Sequence, residues 1–199
     1  MTEKVRETRW TGLVAAVALV LLAGGQMGLA QQAGIDAALL VKANGGDATA
    51  QVAVGESYAS ASGVAQDLKL AAEWYRKAAD KGDVAAQLHL AVLYRDGGKG
   101  FERDMAQAAE WYLKAADQGD VGAQGMMGTL YSVGQGVEQN YVEAYYWLDL
   151  AAAVKGPKQA QYANYRQMMG AHITADELAG IQERETAWKT AHPRADSAL

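Results

Sequence analysis

Ala71-Ala72-Glu73-Trp74-Tyr75-Arg76-Lys77-Ala78-Ala79-Asp80-Lys81-Gly82-Asp83-Val84-Ala85-Ala86-Gln87 returns 37 residues later as Ala108-Ala109-Glu110-Trp111-Tyr112-Leu113-Lys114-Ala115-Ala116-Asp117-Gln118-Gly119-Asp120-Val121-Gly122-Ala123-Gln124. Fainter copies flank the pair. Trp147 follows Trp111 by 36 residues, and Gly46-Asp47 with Gln51 precedes Gly82-Asp83 with Gln87 by 36. A fixed period in this range marks stacked supersecondary units, none of which buries its apolar face alone.

The unit reads as two helices. Ala71 and Ala78 recur as Ala108 and Ala115, then as Ala144 and Ala151, each pair seven apart and so near one helix face. Alanine there lets a neighbouring helix come close. Trp74, Trp111 and Trp147 supply bulk beside it, with Tyr75 and Tyr112, and Leu148 takes the tyrosine position in the last copy. Gly82 and Gly119 stand where a helix ends in a left-handed residue, and Asp83 and Asp120 then cap the next helix. That second helix carries Ala86, Leu90 and Tyr94, matched by Ala123, Met127 and Tyr131. Its interior position stays small as Gly55, Ala91 or Gly128. The turn from Tyr94 to Asp104 is one residue longer than Tyr58 to Asp67 or Tyr131 to Asn140, which explains the two periods. Asp67 is placed to cap a helix, while Asp104 with Gln107 and Asn140 with Glu143 have capping-box spacing.

Composition agrees with short helices. The 199 residues are 50% hydrophobic, enough for one sizeable core, and 22 glycines with two prolines fit helices separated by glycine-ended turns. Val and Ile are too scattered for alternating strands. A formal charge of -5 argues against a sequence-independent grip on nucleic acid. The chain has no cysteine, which excludes disulfides, thiolate metal sites, thiol nucleophiles and a lipoprotein anchor.

The N-terminus reads as a targeting segment. Lys4, Arg6 and Arg9 precede an apolar run from Leu13 to Ala23, and Gly28-Leu29-Ala30 supplies small residues at -3 and -1. That is the layout of a signal peptide, residues 1–30, cleaved after Ala30. The alternative is an uncleaved anchor. Against it, Gly24, Gly25 and Gln26 interrupt the run and no basic cluster follows. Removing the segment takes away three basic residues and two acidic ones (Glu3, Glu7), so the charge falls from -5 to -6. Residues 31–46 then read as a degenerate first helix around Ile35, Leu39 and Leu40, and 47–156 as about three repeats. Residues 157–190 read as two C-terminal capping helices. The first, from Pro157 to Gly170, carries Gln161 in the register of Gln124. The second opens with the capping box Thr174-Ala175-Asp176-Glu177, presents Leu178, Ile181 and Trp188 as its apolar side, and covers the end of the stack. Residues 191–199 read as a disordered tail.

The pattern A-x-x-W-Y-x-x-A-A-x-x-G-D-x-x-A-Q, then L-Y and G-x-G-V, resembles the Sel-1-like repeat, a subclass of the tetratricopeptide-type helical repeats. The resemblance covers roughly Gly46 to Gly156. Gly134-Gln135-Gly136-Val137 fits the last element well; Gly63-Val64 and Gly98-Lys99-Gly100-Phe101 fit it loosely. It implies an all-α fold, a right-handed α-solenoid of antiparallel helix pairs (an alpha-alpha superhelix) that serves as a docking surface for other proteins. It does not imply catalysis.

No enzyme constellation emerges from the residues. His89, His172 and His192 lie far apart without metal-ligand spacing, and neither S-x-x-K, G-x-S-x-G nor H-E-x-x-H occurs. Gly97-Gly98-Lys99-Gly100 lacks the strand, spacing and hydroxyl of a phosphate loop. Catalytic, cofactor-binding and metal-binding residues are therefore expected to be none. Trp74, Trp111 and Trp147 read as packing rather than ligand platforms. Solenoids bind through the concave face, so the expected partner-binding residues lie outside the repeated core pattern. They are Glu73, Arg76, Lys77, Glu110, Leu113 and Lys114 on the first helices, with Tyr145 and Tyr146 continuing that surface.

The function expected is a non-catalytic periplasmic adaptor of the bacterial cell envelope that holds a partner peptide or protein, without cofactor or nucleic acid. The alternative is an envelope hydrolase, because cysteine-rich relatives of the resembled family are β-lactamase-like; the paired cysteines of those relatives are missing here. A third reading is an inner-membrane-anchored structural component, touching the membrane only through residues 1–30 if they stay attached.

Overall fold

A computed structural model describes residues 34–193; the expected signal segment, the first residues of the expected opening helix and the last six of the tail lie outside the described residues. Among the described residues the chain forms α1 (Ala37–Asn44), α2 (Ala48–Ser60), α3 (Leu68–Ala79), α4 (Val84–Asp96), α5 (Met105–Asp117), α6 (Val121–Val133), α7 (Tyr141–Ala152), α8 (Gln159–Gly170) and α9 (Ala175–Ala191). No described helix is long and apolar enough to cross a membrane.

The corner inside each helix pair is made the same way three times. Gly46, Gly82 and Gly119 adopt φ of 93°, 89° and 91°, a left-handed conformation open to glycine at little cost. The next residue donates its amide back across the corner: Asp47 to Lys42, Asp83 to Ala78 and Asp120 to Ala115, at 3.1, 3.2 and 3.1 Å. The same aspartates cap the following helices, accepting from the amides of Ala50, Ala86 and Ala123 at 2.8, 2.8 and 2.7 Å. Turns between pairs also close alike. Asp67, Asp104 and Asn140 donate their amides to the carbonyls of Tyr58, Tyr94 and Tyr131 at 3.1, 2.8 and 2.9 Å. The extra residue of the middle turn is taken up where Gly98 and Phe101 exchange two backbone hydrogen bonds.

Asp104 and Asn140 cap α5 and α7 through their own side chains. The returning half of the expected boxes does not form. Gln107 donates to Glu110, and Glu143 faces Arg184 instead. The full capping box forms at Thr174 and Glu177.

The repeated glutamine is a staple. Gln51, Gln87 and Gln124 are buried, and each amide nitrogen donates to the carbonyl eight residues back: Ala43, Ala79 and Ala116, at 3.0, 3.2 and 3.3 Å. Those carbonyls lie in last turns of helices and also accept the amides of Gly46, Gly82 and Gly119 at 3.1, 2.9 and 2.9 Å, so each glutamine adds a second hydrogen bond to a carbonyl already paired. A hydrogen bond of this kind contributes about 0.5–1.5 kcal/mol. The first helix of every corner is thus tied to the second by one side chain.

Two compact units emerge. The first holds α1, α2, α3, α4 up to Leu93 and the turn Gly97–Glu102. Val54, Tyr58, Trp74, Tyr75 and Leu90 fill it. Tyr75 seats its ring on Gly55 so closely that a Cβ there would lie 2.6 Å from Tyr75 Cε1. The second unit holds Tyr94–Asp96 and α5 to α9. There Leu148 takes the tyrosine role on Gly128, where a Cβ would lie 2.5 Å from Leu148 Cγ. Tyr162 of α8 seats on Gly125 in the same fashion. The small positions read from the repeat are these seats.

Gln161 departs from its register. It is exposed and donates to Tyr165 Oη at 3.3 Å, while Gln159 takes over the carbonyl of Ala152 at 3.1 Å. The corner before α8 lacks the glycine–aspartate pair, so the geometry that aims the earlier glutamines is missing. Gln87→Ala is therefore expected to lower stability by about 0.5–1.5 kcal/mol in urea unfolding, and Gln161→Ala by less than about 0.5 kcal/mol.

Candidate partner-binding face

The first helix of each repeat has one face spent on stacking and one turned outward. In the first unit, α3 buries Ala71, Ala72, Trp74, Tyr75, Ala78 and Ala79, and exposes Glu73, Arg76 and Lys77. Lys77 Nζ lies 3.7 Å from the centre of the Trp74 ring. Its ammonium is held below its ordinary range by partial burial, which Glu73 opposes. In the second unit, α5 repeats the arrangement. Lys114 Nζ lies 3.8 Å from the Trp111 ring centre and 3.2 Å from Glu110 Oε1, and Leu113 is half-buried. Both tryptophans are only 2–3% exposed. The lysines cover them as cations over a ring face, so neither indole is offered to a ligand.

On α7 the register continues with a different occupant. A shift of 36 residues carries Glu110 onto Tyr146 and Leu113 onto Asp149. Tyr146 was expected on an open surface, yet it is 2% exposed. The terminal helix α9 lies over it. The Arg184 guanidinium sits 3.8 Å from the Tyr146 ring centre and donates to both Glu143 oxygens at 2.5 and 2.9 Å. Tyr145 stays half-buried, with Arg166 6.0 Å from its ring centre.

The side of α9 facing its unit is a stripe of Ile181, Arg184, Glu185 and Trp188, spaced i, i+3, i+4 and i+7 as on one helix face. Ile181 is 2% exposed. Trp188 lies over Gly119, where a Cβ would be 3.6 Å from the indole ring. His192 stacks on Trp188 at 4.3 Å. Asp117, at the end of α5, has its carboxyl pushed up by desolvation, against the pull of His192 and Arg184. The helix thus covers the first-helix face of the last repeat, reaching from α7 to the end of α5. The outer side of α8 keeps Tyr165 and Met168 exposed.

Glu185 is the anomaly in this seat. It is 6% exposed; Oε2 receives Lys189 Nζ at 3.1 Å, and Oε1 is buried without a donor. Asp149 is beside it and is itself bound by Arg166. Two carboxyls at one place share a proton more readily than they both ionise. Burial first, and Asp149 second, push Glu185 up to about 7. Asp149 is pushed up by burial but ends below its ordinary range, because the hydrogen bonds from Glu185 and Arg166 outweigh that cost.

The histidines serve packing. His89 stacks on Tyr75 at 4.7 Å and meets Glu56 at 3.2 Å, while His172 stacks on Tyr141 at 4.3 Å. Among the described residues no three His, Asp or Glu side chains gather as a metal cage. Asp149, Arg166, Arg184 and Glu185 were not singled out by the sequence, and Glu143 was read there only as a capping-box partner of Asn140. Of the α9 stripe the sequence named Ile181 and Trp188, with Leu178, which is half-buried, and nothing in the chain's order said which surface they would meet.

Because Glu185 binds its proton more tightly when docked, its contribution to the α9 seat is full below its ordinary value of 4.5 and is lost as pH rises through about 7. Lys189 and Arg166 face the same pair and temper the loss, while the Tyr145 phenol beside them, pushed up by burial, stays neutral. Amide protection factors across 175–191 are expected to fall between pH 5.5 and 8 relative to those of α7. Glu185→Gln should flatten that dependence, and a wild-type profile already flat would contradict the assignment.

Three consecutive matches to the Sel1 repeat family model cover residues 48–83, 84–120 and 121–153, more than half of the chain. The crystal structure of a Sel1 repeat protein from Oxalobacter formigenes is similar at 34% identity and a TM-score of 0.56, over 62% of this chain and 92% of that one. The crystal structure of c5321, a protective antigen of uropathogenic Escherichia coli strains with an SLR fold, aligns at 22% identity and a TM-score of 0.41 over 76% of this chain. The alignment spans 47% of that antigen's length. No curated protein sequence matches the chain. Sel1 repeat proteins are typically protein–protein interaction modules, and the α-solenoid helix pairs found here are theirs. This chain belongs to the Sel1 repeat family.

Proposed function

We infer that the protein is a non-catalytic adaptor of the bacterial cell envelope, which binds a segment of another protein on the first helices of its repeats. The observation that carries this reading is the seat of α9. At the register shared by Glu110 and Leu113, and before them by Glu73 and Arg76, α7 presents Tyr146 and Asp149, and these hold a helix. At the same positions Glu73, Arg76 and Glu110 carry exposed charge and Leu113 is half-buried, and Lys77 and Lys114 cover the neighbouring indoles. A few aromatic and basic anchors in a polar surround is the usual composition of a binding hot spot.

Affinity capture with crosslinking, using residues 31–199 against native envelope, tests this against the double variant Arg76→Glu/Lys114→Glu. One stoichiometric partner, crosslinked to α3 or α5 and lost at least tenfold in the double variant, is the expected result. Capture indifferent to both charge reversals overturns the reading.

The envelope location rests on the signal-like residues 1–30. N-terminal sequencing of protein from the periplasmic fraction is expected to begin at Gln31; an intact Met1 or Thr2 start on membrane-bound protein would favour the anchored alternative.

A further inference from the structure

We propose that α9 is a displaceable internal ligand, and that the surface it covers receives an amphipathic helix of the partner presenting an aliphatic, an arginine and an aromatic residue at the spacing of Ile181, Arg184 and Trp188. This rests on the reading of the first-helix face as the binding face, and it names the chemistry and regulation of that face in the second unit.

The receiving surface is built for such a helix. Glu143 supplies a bidentate carboxylate, and Tyr146 supplies a ring face for the same guanidinium. That planar fork and stacked geometry selects arginine over lysine. Gly119 gives the indole a flat backbone floor, since a Cβ there would lie in ordinary contact with the ring at 3.6 Å. Asp149 sits between these anchors, already held by Arg166. These features lie on α5, α7 and the corner after α5, within a single compact unit.

The present occupant is a poor fit at one point and independent elsewhere. Glu185 is buried beside Asp149 with its Oε1 lacking a donor, so α9 docks with a carboxyl pair that is costly to keep doubly ionised. A partner helix with a neutral or cationic side chain in that place escapes this conflict. Only Ile181 and Glu185 of α9 are buried, whereas α7 buries seven residues of its own. The Arg184–Glu143 pair stays partly exposed, with 45% and 24% side-chain exposure, and so holds weakly. α9 carries its own capping box, acidic first turn and basic last turn, so it can leave its seat as a helix. Ala171, His172 and Ile173 alone link its cap to α8. Its outward side, through Gln182, Glu183, Thr186 and Thr190, is exposed and suits solvent in either position.

The test uses the purified full chain and a fluorescent synthetic peptide with the sequence of residues 172–193. Anisotropy titrations compare the wild-type chain with chains carrying Arg184→Glu or Trp188→Ala, each of which loosens α9 and leaves its seat intact. The peptide is expected to bind both loosened chains at least tenfold more tightly than wild type. A peptide carrying Arg184→Glu is expected to lose at least tenfold on all three. Hydrogen exchange checks the loosening: protection across 175–191 should fall in both variants while that of 141–152 holds. Equal peptide affinity for all three chains, no binding to any, or joint loss of protection in α9 and α7 each overturns the proposal. Peptide binding that fails while the envelope partner is still lost in Arg76→Glu/Lys114→Glu removes this inference alone. Peptide binding that succeeds while capture ignores those charges removes the envelope adaptor reading and leaves α9 displaceable.

Discussion

How closely one helix can approach the next is the constraint on which this protein depends. Ala71, Ala78, Ala108, Ala115, Ala144 and Ala151 are completely buried, and Gly55 and Gly128 leave seats into which Tyr75 and Leu148 fit without space for a single added carbon. Interiors pack at crystal-like density, so a seat of fixed size demands a fixed partner. Repeating the seat every 36 or 37 residues repeats the helix pair. Tyr75 and Leu148 differ in shape, yet each meets a glycine about two turns beyond a corner of the same geometry. The repeat therefore tolerates different bulk only where the seat opposite can take it.

Close approach leaves backbone groups at the corners without water, and the chain answers with polar side chains at fixed places. The glycine bends the chain, the aspartate caps the following helix, and the buried glutamine reaches back to the last turn of the preceding one. These three residue types form one device, since the aspartate's cap orients the helix that aims the glutamine. Gln161 shows the dependence. It keeps the spacing but stands after a corner without the glycine and aspartate, and it points to solvent. Spacing alone does not make the staple.

The terminal helix obeys a different logic. Its seat mixes an aliphatic contact, an arginine stacked on tyrosine and two adjacent carboxyls, where the repeats rely on alanine, glycine and aromatic rings. Conflicts of this kind are tolerated where a contact must be reversible, because a surface that releases its occupant cannot also be packed like a core. The lysines over Trp74 and Trp111, each on the first helix of its own repeat, shield apolar rings while keeping charge in water.

Sequence by itself determined the helix pair, its period, the residues of its corners and the small positions of its core, because each is a local or periodic demand that the amino acids state directly. It also marked the outward positions 73, 76, 110 and 113 by elimination, since the core pattern left them over. Only the tertiary structure decided that Tyr146, in the register of Glu110, lies beneath Arg184, that Gln159 rather than Gln161 closes the last corner, and that Glu185 meets Asp149. Those contacts join residues more than thirty positions apart or depend on the aim of one corner. Periodicity carries no information about which surface a non-repeating helix will choose; that choice is made by the shape and charge of the finished repeats.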